Sequence, residues 1–347
     1  MLVLGGVFLE LVFADLGDGL RPGGEAFASS FGISCGGAVT VAATARRRGA
    51  SVGLVTTLGD DFTSKVVTRY CLRRGIALDQ SPRVAGVSSG ITVALNFSHD
   101  RAFVTYHPER AGGGRPDAAS WAEAIRQVRP SWIYLHAGPE AVGVVQAAAA
   151  TGCRVALDVD LGCAEEHPAA VLECLEAAEL FLPNEDELRQ LGRAESLEGA
   201  LGPILRRCPT VVVTRGPAGA LLATGSSLEP IGEGLSDVEV VDRTGAGDSF
   251  AGALIGELAL GRPLREAIAV ANAAGSKAVS RLGATGALAL EDLAVDGAAP
   301  PAHAASDLAG SGAVEGEAAA IDAVLRRALP PLARLAGDGR MLEGDDE

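Results

Sequence analysis

Asp242-Arg243-Thr244-Gly245-Ala246-Gly247-Asp248-Ser249-Phe250-Ala251-Gly252 is the stretch on which the reading of this chain turns. The apolar run Val238-Glu239-Val240-Val241 before it reads as a strand, and Ala253-Leu254-Ile255-Gly256-Glu257-Leu258 after it reads as a helix. Two glycines around one alanine let the backbone turn sharply and aim several N–H groups at one spot. The helix start behind them adds unpaired N–H groups and the positive end of its dipole, which suits an anion such as phosphate. Asp248 stands in the first turn of that helix. A carboxylate repels a phosphate, so binding alone is a poor reason for it. A base that takes a proton from a hydroxyl as that hydroxyl attacks phosphorus is a better one. On these residues alone a second account stays open: Asp stabilises helix starts, and Gly-Ala-Gly also serves as a plain tight turn.

Working outward, the chain has 347 residues, 48% of them hydrophobic, enough for one large α/β domain or a domain with an appendage. With 29 basic and 44 acidic residues the net charge is −15, which argues against nucleic-acid or anionic-membrane partners. The six cysteines (Cys35, Cys71, Cys153, Cys163, Cys174, Cys208) form no CxxC pair, so a zinc site is not expected and free thiols are. The apolar start lacks a basic segment and a cleavage site, and no run reaches transmembrane length without charge, so a soluble cytoplasmic protein is expected.

Leu2-Val3-Leu4 and Val7 to Phe13 read as two strands around Gly5-Gly6, with Glu10 interrupting the second. Residues 14–34 are rich in Gly and polar residues and read as turns. Gly36-Gly37-Ala38 opens an alanine-rich helix over 39–48. A strand at 51–56 and a helix from Asp61 to about 74 follow. Residues 91–97 and 102–106 read as a β-hairpin off the main sheet. Helices at about 117–128, 139–150, 167–177 and 194–206 then alternate with strands at 132–135, 154–158, 180–182 and 210–214. That alternation predicts a doubly wound, mostly parallel α/β sheet with ligands at the strands' carboxyl ends. Asp158-Val159-Asp160, Pro183 to Glu187 and Thr214 to Gly219 stand at such ends and could converge with the Gly245–Asp248 turn. Pro263 starts a further helix to about 281. Residues 295–316 read as a linker, and 317–347 as a tail of helical spacing with a disordered acidic end.

Taken together these residues resemble the PfkB/ribokinase-like carbohydrate kinases over about residues 1–290. The opening stretch is similar to that family's D-T-x-G-A-G-D motif, Gly36-Gly37-Ala38-Val39-Thr40 with Ala42 to its G-G-x-x-N-x-A motif, and Asn184 with Glu187 to N-x-x-E. The order of the three is what makes the match specific. The resemblance implies a ribokinase-like fold with a small β lid from about 11–34 and 86–107, and a kinase domain over 1–294. It implies Asp248 as general base, and Gly245, Ala246 and Gly247 as the anion hole. ATP would lie against Asn184, Thr214, Gly216, Gly219 and Asn272, with Mg²⁺ organised indirectly through Glu187. Glu10, Gly36, Gly37, Thr40 and Asp248 would face a sugar. Asp242, Thr244, Ala278, Arg281 and Gly283 match a K⁺-like site of some members. A homodimer through the lid is a further implication. The chain departs from the family where Thr40 replaces Asn, Glu10 replaces Asp, Asp160 stands for a frequent Asn and Arg243 replaces a small residue. These changes cluster on the sugar side. The expected activity is therefore ATP-dependent phosphorylation of a sugar hydroxyl, with a nucleoside kinase of the same fold and a non-catalytic sugar-binding regulatory relative as alternatives. A P-loop kinase is excluded because no G-x-x-x-x-G-K-[ST] occurs.

Overall fold

The computed structural model describes residues 1–17, 19–21, 23–97, 101–107, 118–225, 227–232 and 240–285. The chain separates into the units Met1–Ala289 and Leu290–Glu347. The expected linker at 295–316 and the tail at 317–347 lie outside the described residues. The chain begins with β1 (Leu2–Leu4), β2 (Val7–Ala14), β3 (Ser30–Gly37), α1 (Ala38–Arg47), β4 (Gly53–Val55) and α2 (Phe62–Arg73). It continues through β5 (Gly90–Asn96), β6 (Arg101–Tyr106), α3 (Ala118–Val128), β7 (Trp132–His136), α4 (Ala141–Ala150), β8 (Arg154–Asp158), α5 (Leu161–Glu166) and α6 (Pro168–Leu175). It then forms β9 (Leu180–Phe181), α7 (Glu185–Gly192), α8 (Leu197–Leu205), β10 (Thr210–Thr214), β11 (Ala220–Thr224), β12 (Ser227–Ile231), α9 (Ala246–Ala259) and α10 (Leu264–Ala278).

Eight strands form one sheet in the order β12-β11-β10-β9-β8-β7-β1-β4. It is parallel from β4 to β10, and β11 and β12 run antiparallel at one edge. Apolar residues alternate between two covered faces, as a parallel sheet requires. Leu2, Leu4, Ile133, Leu135, Val155, Leu157, Val211 and Val213 pack with Ile125, Val144, Val171, Leu188 and Ile204 from the helices. The intervening Val3, Leu54, Trp132, Tyr134, Ala156 and Val212 are just as buried. Strand order reverses around β1, between β4 and β7, and the carboxyl ends there are where such a sheet opens a crevice.

A second sheet, β3-β2-β5-β6, holds the hairpin expected at 91–106, with β5 antiparallel to β6 and parallel to β2. One strand joins the two sheets, because β1 passes through Gly5-Gly6 into β2.

Several elements differ from the sequence reading. Ser30–Gly37 is a full strand paired with β2, not a turn running into a helix. Its Gly32, Gly36 and Gly37 erase the alternation that would mark it. Helix α1 starts one residue earlier than expected, at Ala38, and ends at Arg47. The antiparallel β11 and β12 and the short helices α5 and α7 carry too few residues for a periodic signal. Of the strand expected at 238–241, Val240 and Val241 are described, and they belong to no strand. The N–H groups of Val241 and Asp242 donate instead to Val279 O at 2.8 and 3.0 Å, tying this segment to the end of α10.

Helices α1 and α9 hold the site in place by packing backbone to backbone. A Cβ at Gly252 would lie 2.4 Å from Val41 O, and one at Gly256 would lie 3.0 Å from Ala45 Cα. Arg48 Nε donates to the buried Glu257 Oε1 at 2.6 Å and locks the far ends of the pair. Gly252→Ala adds helix propensity worth ~1 kcal/mol, but it overpacks this contact at a cost of ~1–3 kcal/mol. The expected result is a lower urea midpoint at unchanged slope; an unchanged or higher midpoint would refute the close-packing account.

Candidate active site

The glycine turn is built as a cradle. Gly245 takes φ 72°, and a side chain there would strike Ala284 Cβ at 2.4 Å. Ala246 then opens α9, Ser249 N donates to Gly245 O at 2.8 Å, and no atom lies within 4 Å of where a Gly247 side chain would point. The first-turn N–H groups of α9 thus face open space, as an anion hole needs. Asp242 fixes the approach to this turn. Its Oδ1 accepts from Thr244 N at 2.9 Å and Thr244 Oγ1 at 2.7 Å, and its Oδ2 accepts from Gly283 N at 2.9 Å.

Asp242, Thr244 and Gly283, three of the residues expected around a monovalent cation, therefore meet at one junction. Arg281 N donates to Ala278 O at 3.3 Å, which places the other two on the same loop. Both Asp242 oxygens are already engaged, so a cation here would depend on backbone oxygens.

Asp248, half-buried in the first turn of α9, belongs to a row of carboxyl groups. Burial pushes its carboxyl up to about 6, against the pull of His136 and with a further push from Asp158. Glu10, on β2, is 6% exposed, and Ala284 N donates to its Oε2 at 3.2 Å. Burial pushes Glu10 up to about 7, the Ala284 N–H opposing and Asp248 adding to the rise. Gly36 is what admits this carboxylate, since a Cβ there would lie 2.0 Å from Glu10 Oε1. Gly37, at φ 65°, lies against Phe8 in the same way. Thr40 differs from its expected place: it is fully buried, and its hydroxyl donates to Cys35 O at 3.4 Å. The structure brings Glu10, Gly36 and Asp248 together and leaves the Thr40 side chain behind β3.

On the other side of Asp248, Asp158 at the end of β8 accepts from Tyr134 Oη at 2.9 Å, and that hydroxyl lies 3.3 Å from His136 Nε2. Burial raises Asp158, with His136 opposing. Tyr134 and His136 were not among the residues expected here. Their signal was position, since His136 is the last residue of β7 at the strand-order reversal.

Glu187 is 9% exposed and closes a reciprocal cap on α7. Asn184 Oδ1 accepts from Asp186 N and Glu187 N, both at 2.9 Å, while Asn184 N donates to Glu187 Oε2 at 2.7 Å. Burial pushes Glu187 up to about 8, against the Asn184 N–H and with Asp158, Asp160 and Asp186 adding to the rise. Hard carboxylate oxygens lacking a counter-charge suit Mg²⁺. Among the described residues no group of three or more His, Cys, Asp and Glu could hold a metal ion by itself. The fit is thus to an ion that keeps waters and phosphate oxygens as ligands, as Mg²⁺ does.

The residues expected around a nucleotide fall into two adjoining groups. Thr214 N donates to Pro183 O at 2.9 Å, which sets the end of β10 beside Asn184. Gly216, at φ 54°, opens on space. Gly219 packs on Gly232 O, and Asn272 Nδ2 donates to Ile231 O at 2.6 Å, so these three meet at the end of β12.

The family model described as pfkB family carbohydrate kinase matches residues 3–290. Cytidine kinase of Thermococcus kodakarensis is 29% identical over 247 residues, 67% of this chain and 83% of that protein. Aminoimidazole riboside kinase of Salmonella typhimurium is 28% identical over 290 residues, 74% of this chain and 85% of that one. Among solved structures, an E. coli protein assigned as a ribokinase II, in complex with ATP and Mg²⁺, superposes with a TM-score of 0.69 at 21% identity. It covers 82% of this chain and 94% of that chain.

The raised carboxyls set the direction of pH dependence. An acid whose folded pKa lies above its unfolded one binds its proton more tightly in the folded state. Its contribution is fully present below the unfolded value and is lost as pH rises toward the folded one. For Asp248, Glu10 and Glu187 that window runs from the ordinary carboxylate range to about 6, 7 and 8. The unliganded protein should melt at a lower temperature at pH 8.5 than at pH 5.5, and Glu187→Gln should flatten the decline. A melting temperature that climbs across this range would contradict the assignment.

Proposed function

The chain belongs to the pfkB family of carbohydrate kinases, and from that membership we propose that it transfers the γ-phosphoryl group of ATP to a hydroxyl of a sugar-bearing small molecule. The observation that carries the reading is Asp248, a carboxyl held beside an open helix N-terminus with its pKa brought up to about 6. A base near the working pH combines a useful deprotonated fraction with a strong pull on the proton. Asp248 takes the proton of the attacking hydroxyl, and the N–H groups of Gly245 to Gly247 hold the oxygens of the transferring group. Glu10 holds other hydroxyls of the acceptor over Gly36. Thr214, Gly216, Gly219 and Asn272 border the nucleotide. Mg²⁺, when bound, offsets phosphate charge, and Glu187 with Asn184 orients its water shell. Thr40 acts through the strand behind the acceptor, and backbone oxygens around Asp242, Thr244, Ala278, Arg281 and Gly283 are left for a monovalent cation such as K⁺.

The acceptor is small and neither a nucleic acid nor a membrane surface, in keeping with the net charge of −15. No helix among the described residues is long and apolar enough to cross a membrane. Asp248→Asn should lower kcat by ~10²–10⁴-fold and leave the ATP dissociation constant within a few-fold of the parent. Near-normal turnover of this variant, measured by ADP release, would remove Asp248 from its role.

Dimerisation through the smaller sheet is the second part of the proposal. Strand register puts Leu11, Phe13, Phe31, Ile33, Val93, Val104 and Tyr106 on one face. Phe31, Val104 and Tyr106 are 48%, 63% and 50% exposed. A contiguous apolar face of this kind fits a second copy of itself across a two-fold axis. Sedimentation should give a dimer that Val104→Glu converts to monomer; a parent protein that sediments as a monomer at micromolar concentration would end this part.

A further inference from the structure

Tyr134, His136 and Asp158 form a hydrogen-bonded chain at the carboxyl ends of β7 and β8, where the strand register sets His136 opposite Asp158. Tyr134 and His136 stand two residues apart on one strand, so their side chains leave the same face of the sheet. The tyrosine is 1% exposed, while the histidine stands exposed at the end of the strand. Tyr134 Oη lies 2.9 Å from Asp158 Oδ2 and 3.3 Å from His136 Nε2.

A phenol has one proton to give. Tyr134 gives it to Asp158, so its oxygen can only accept from the imidazole, and the proton in that contact belongs to His136 Nε2. The chain therefore runs one way, from imidazole to phenol to carboxylate. Burial, with the charges of Asp158 and Asp248, pushes the Tyr134 hydroxyl well above its ordinary range, so it stays protonated and the direction holds. Val159 N donates to the other oxygen of Asp158 at 2.8 Å. With a donor on each oxygen, Asp158 is held in one orientation, and the ring of His136 is held with it.

Helix α9 packs against β7, which brings Asp248 down on this chain. Burial pushes the Asp248 carboxyl up; His136 from β7 opposes the rise and Asp158 from β8 adds to it. Burial also raises Glu10 on β2 and Glu187 on α7, with Asp248 adding to the first and Asp158 to the second. A base crowded by carboxyls takes protons too readily from water and is then spent. An imidazole beside it carries the opposite charge in the pH range where such a reaction runs.

We propose that His136 is a positioning residue for phosphoryl transfer: tied through Tyr134 to Asp158, its ring places positive charge beside Asp248 and keeps that carboxylate ionised to receive the acceptor's proton. This inference rests on the phosphotransfer reading above and adds a residue that none of the three sequence motifs contains.

The test uses the full chain and the variants His136→Gln, His136→Lys and Tyr134→Phe. ADP release is followed from pH 5 to 9 with ATP, Mg²⁺ and whichever of D-ribose, D-fructose, cytidine and adenosine turns over fastest. Beside it, the Asp248 carboxyl is titrated by carbon-13 NMR in aspartate-labelled protein without ligands, its signal assigned by loss in Asp248→Asn. In His136→Gln the acid limb of kcat/KM and the Asp248 titration should both move to higher pH by about 0.5–1 unit, the effect of one partly screened charge. The limb belongs to the interacting pair, so the two shifts agree in direction rather than in size. His136→Lys should return both to the parent position or below it. Tyr134→Phe, which keeps the buried ring, should move them the same way as His136→Gln by a smaller amount, and adding it to His136→Gln should move them little further. A merely structural loss would lower kcat/KM by the same factor at every pH and leave the carboxyl titration where it was. That result, or a lysine variant that behaves like the glutamine one, overturns the role of His136 and leaves the kinase standing. An Asp248 titration that moves as expected in a parent protein that releases no ADP with any acceptor keeps the His136–Asp248 pair and sinks the phosphotransfer reading.

Discussion

A single buried carboxylate holds this site together. Asp242, 3% exposed, accepts from the loop before α9 with one oxygen and from the loop after α10 with the other. Through Gly283 it positions Ala284, whose N–H reaches Glu10 on the smaller sheet and whose side chain fills the space left by Gly245. Ser34 and Thr285 extend the same seam, their hydroxyls 3.0 Å apart. The glycine turn before α9, strand β2 and the end of α10 thus share one set of hydrogen bonds. A group so placed is worth more through what it aligns than through any one of its bonds.

Around that anchor the site collects negative charge. Burial raises the carboxyls of Glu10, Asp248, Asp158 and Glu187, with Asp248 adding to the rise at Glu10 and Asp158 to the rise at Asp248 and Glu187. Such a row is costly in an empty protein and is tolerable where cations and proton transfer are part of the work. His136 and Tyr134 moderate it from the floor of the crevice.

Much of this was legible in the sequence, and the parts that were not share a cause. The parallel strands read correctly because both faces are buried and their residues form unbroken apolar runs, as in Val211-Val212-Val213. The Gly245–Asp248 turn read correctly because few residue types can make it. Strand β3 was hidden because Gly36 and Gly37 serve the side chains of Glu10 and Phe8 across the strand pair, and the cost falls on the strand's own pattern. His136 was hidden for a different reason: one imidazole at the end of a strand carries no spacing. Thr40 shows the limit of a motif, which can name a position without telling which way its side chain turns.

The ends of the large sheet bear on how the protein behaves in a crowded solution. At one edge, Pro230 of β12 has no N–H to offer, and the side chain of Asn272 occupies the carbonyl of Ile231. At the other, β4 is three residues long and already bonded to the segment at Ala77, through Leu54 N to Ala77 O at 2.9 Å. Open strand edges are templates on which foreign chains add and fibrils start. Here both templates are capped, so eight strands of Val, Ile and Leu can sit in one layer without recruiting a ninth from another molecule.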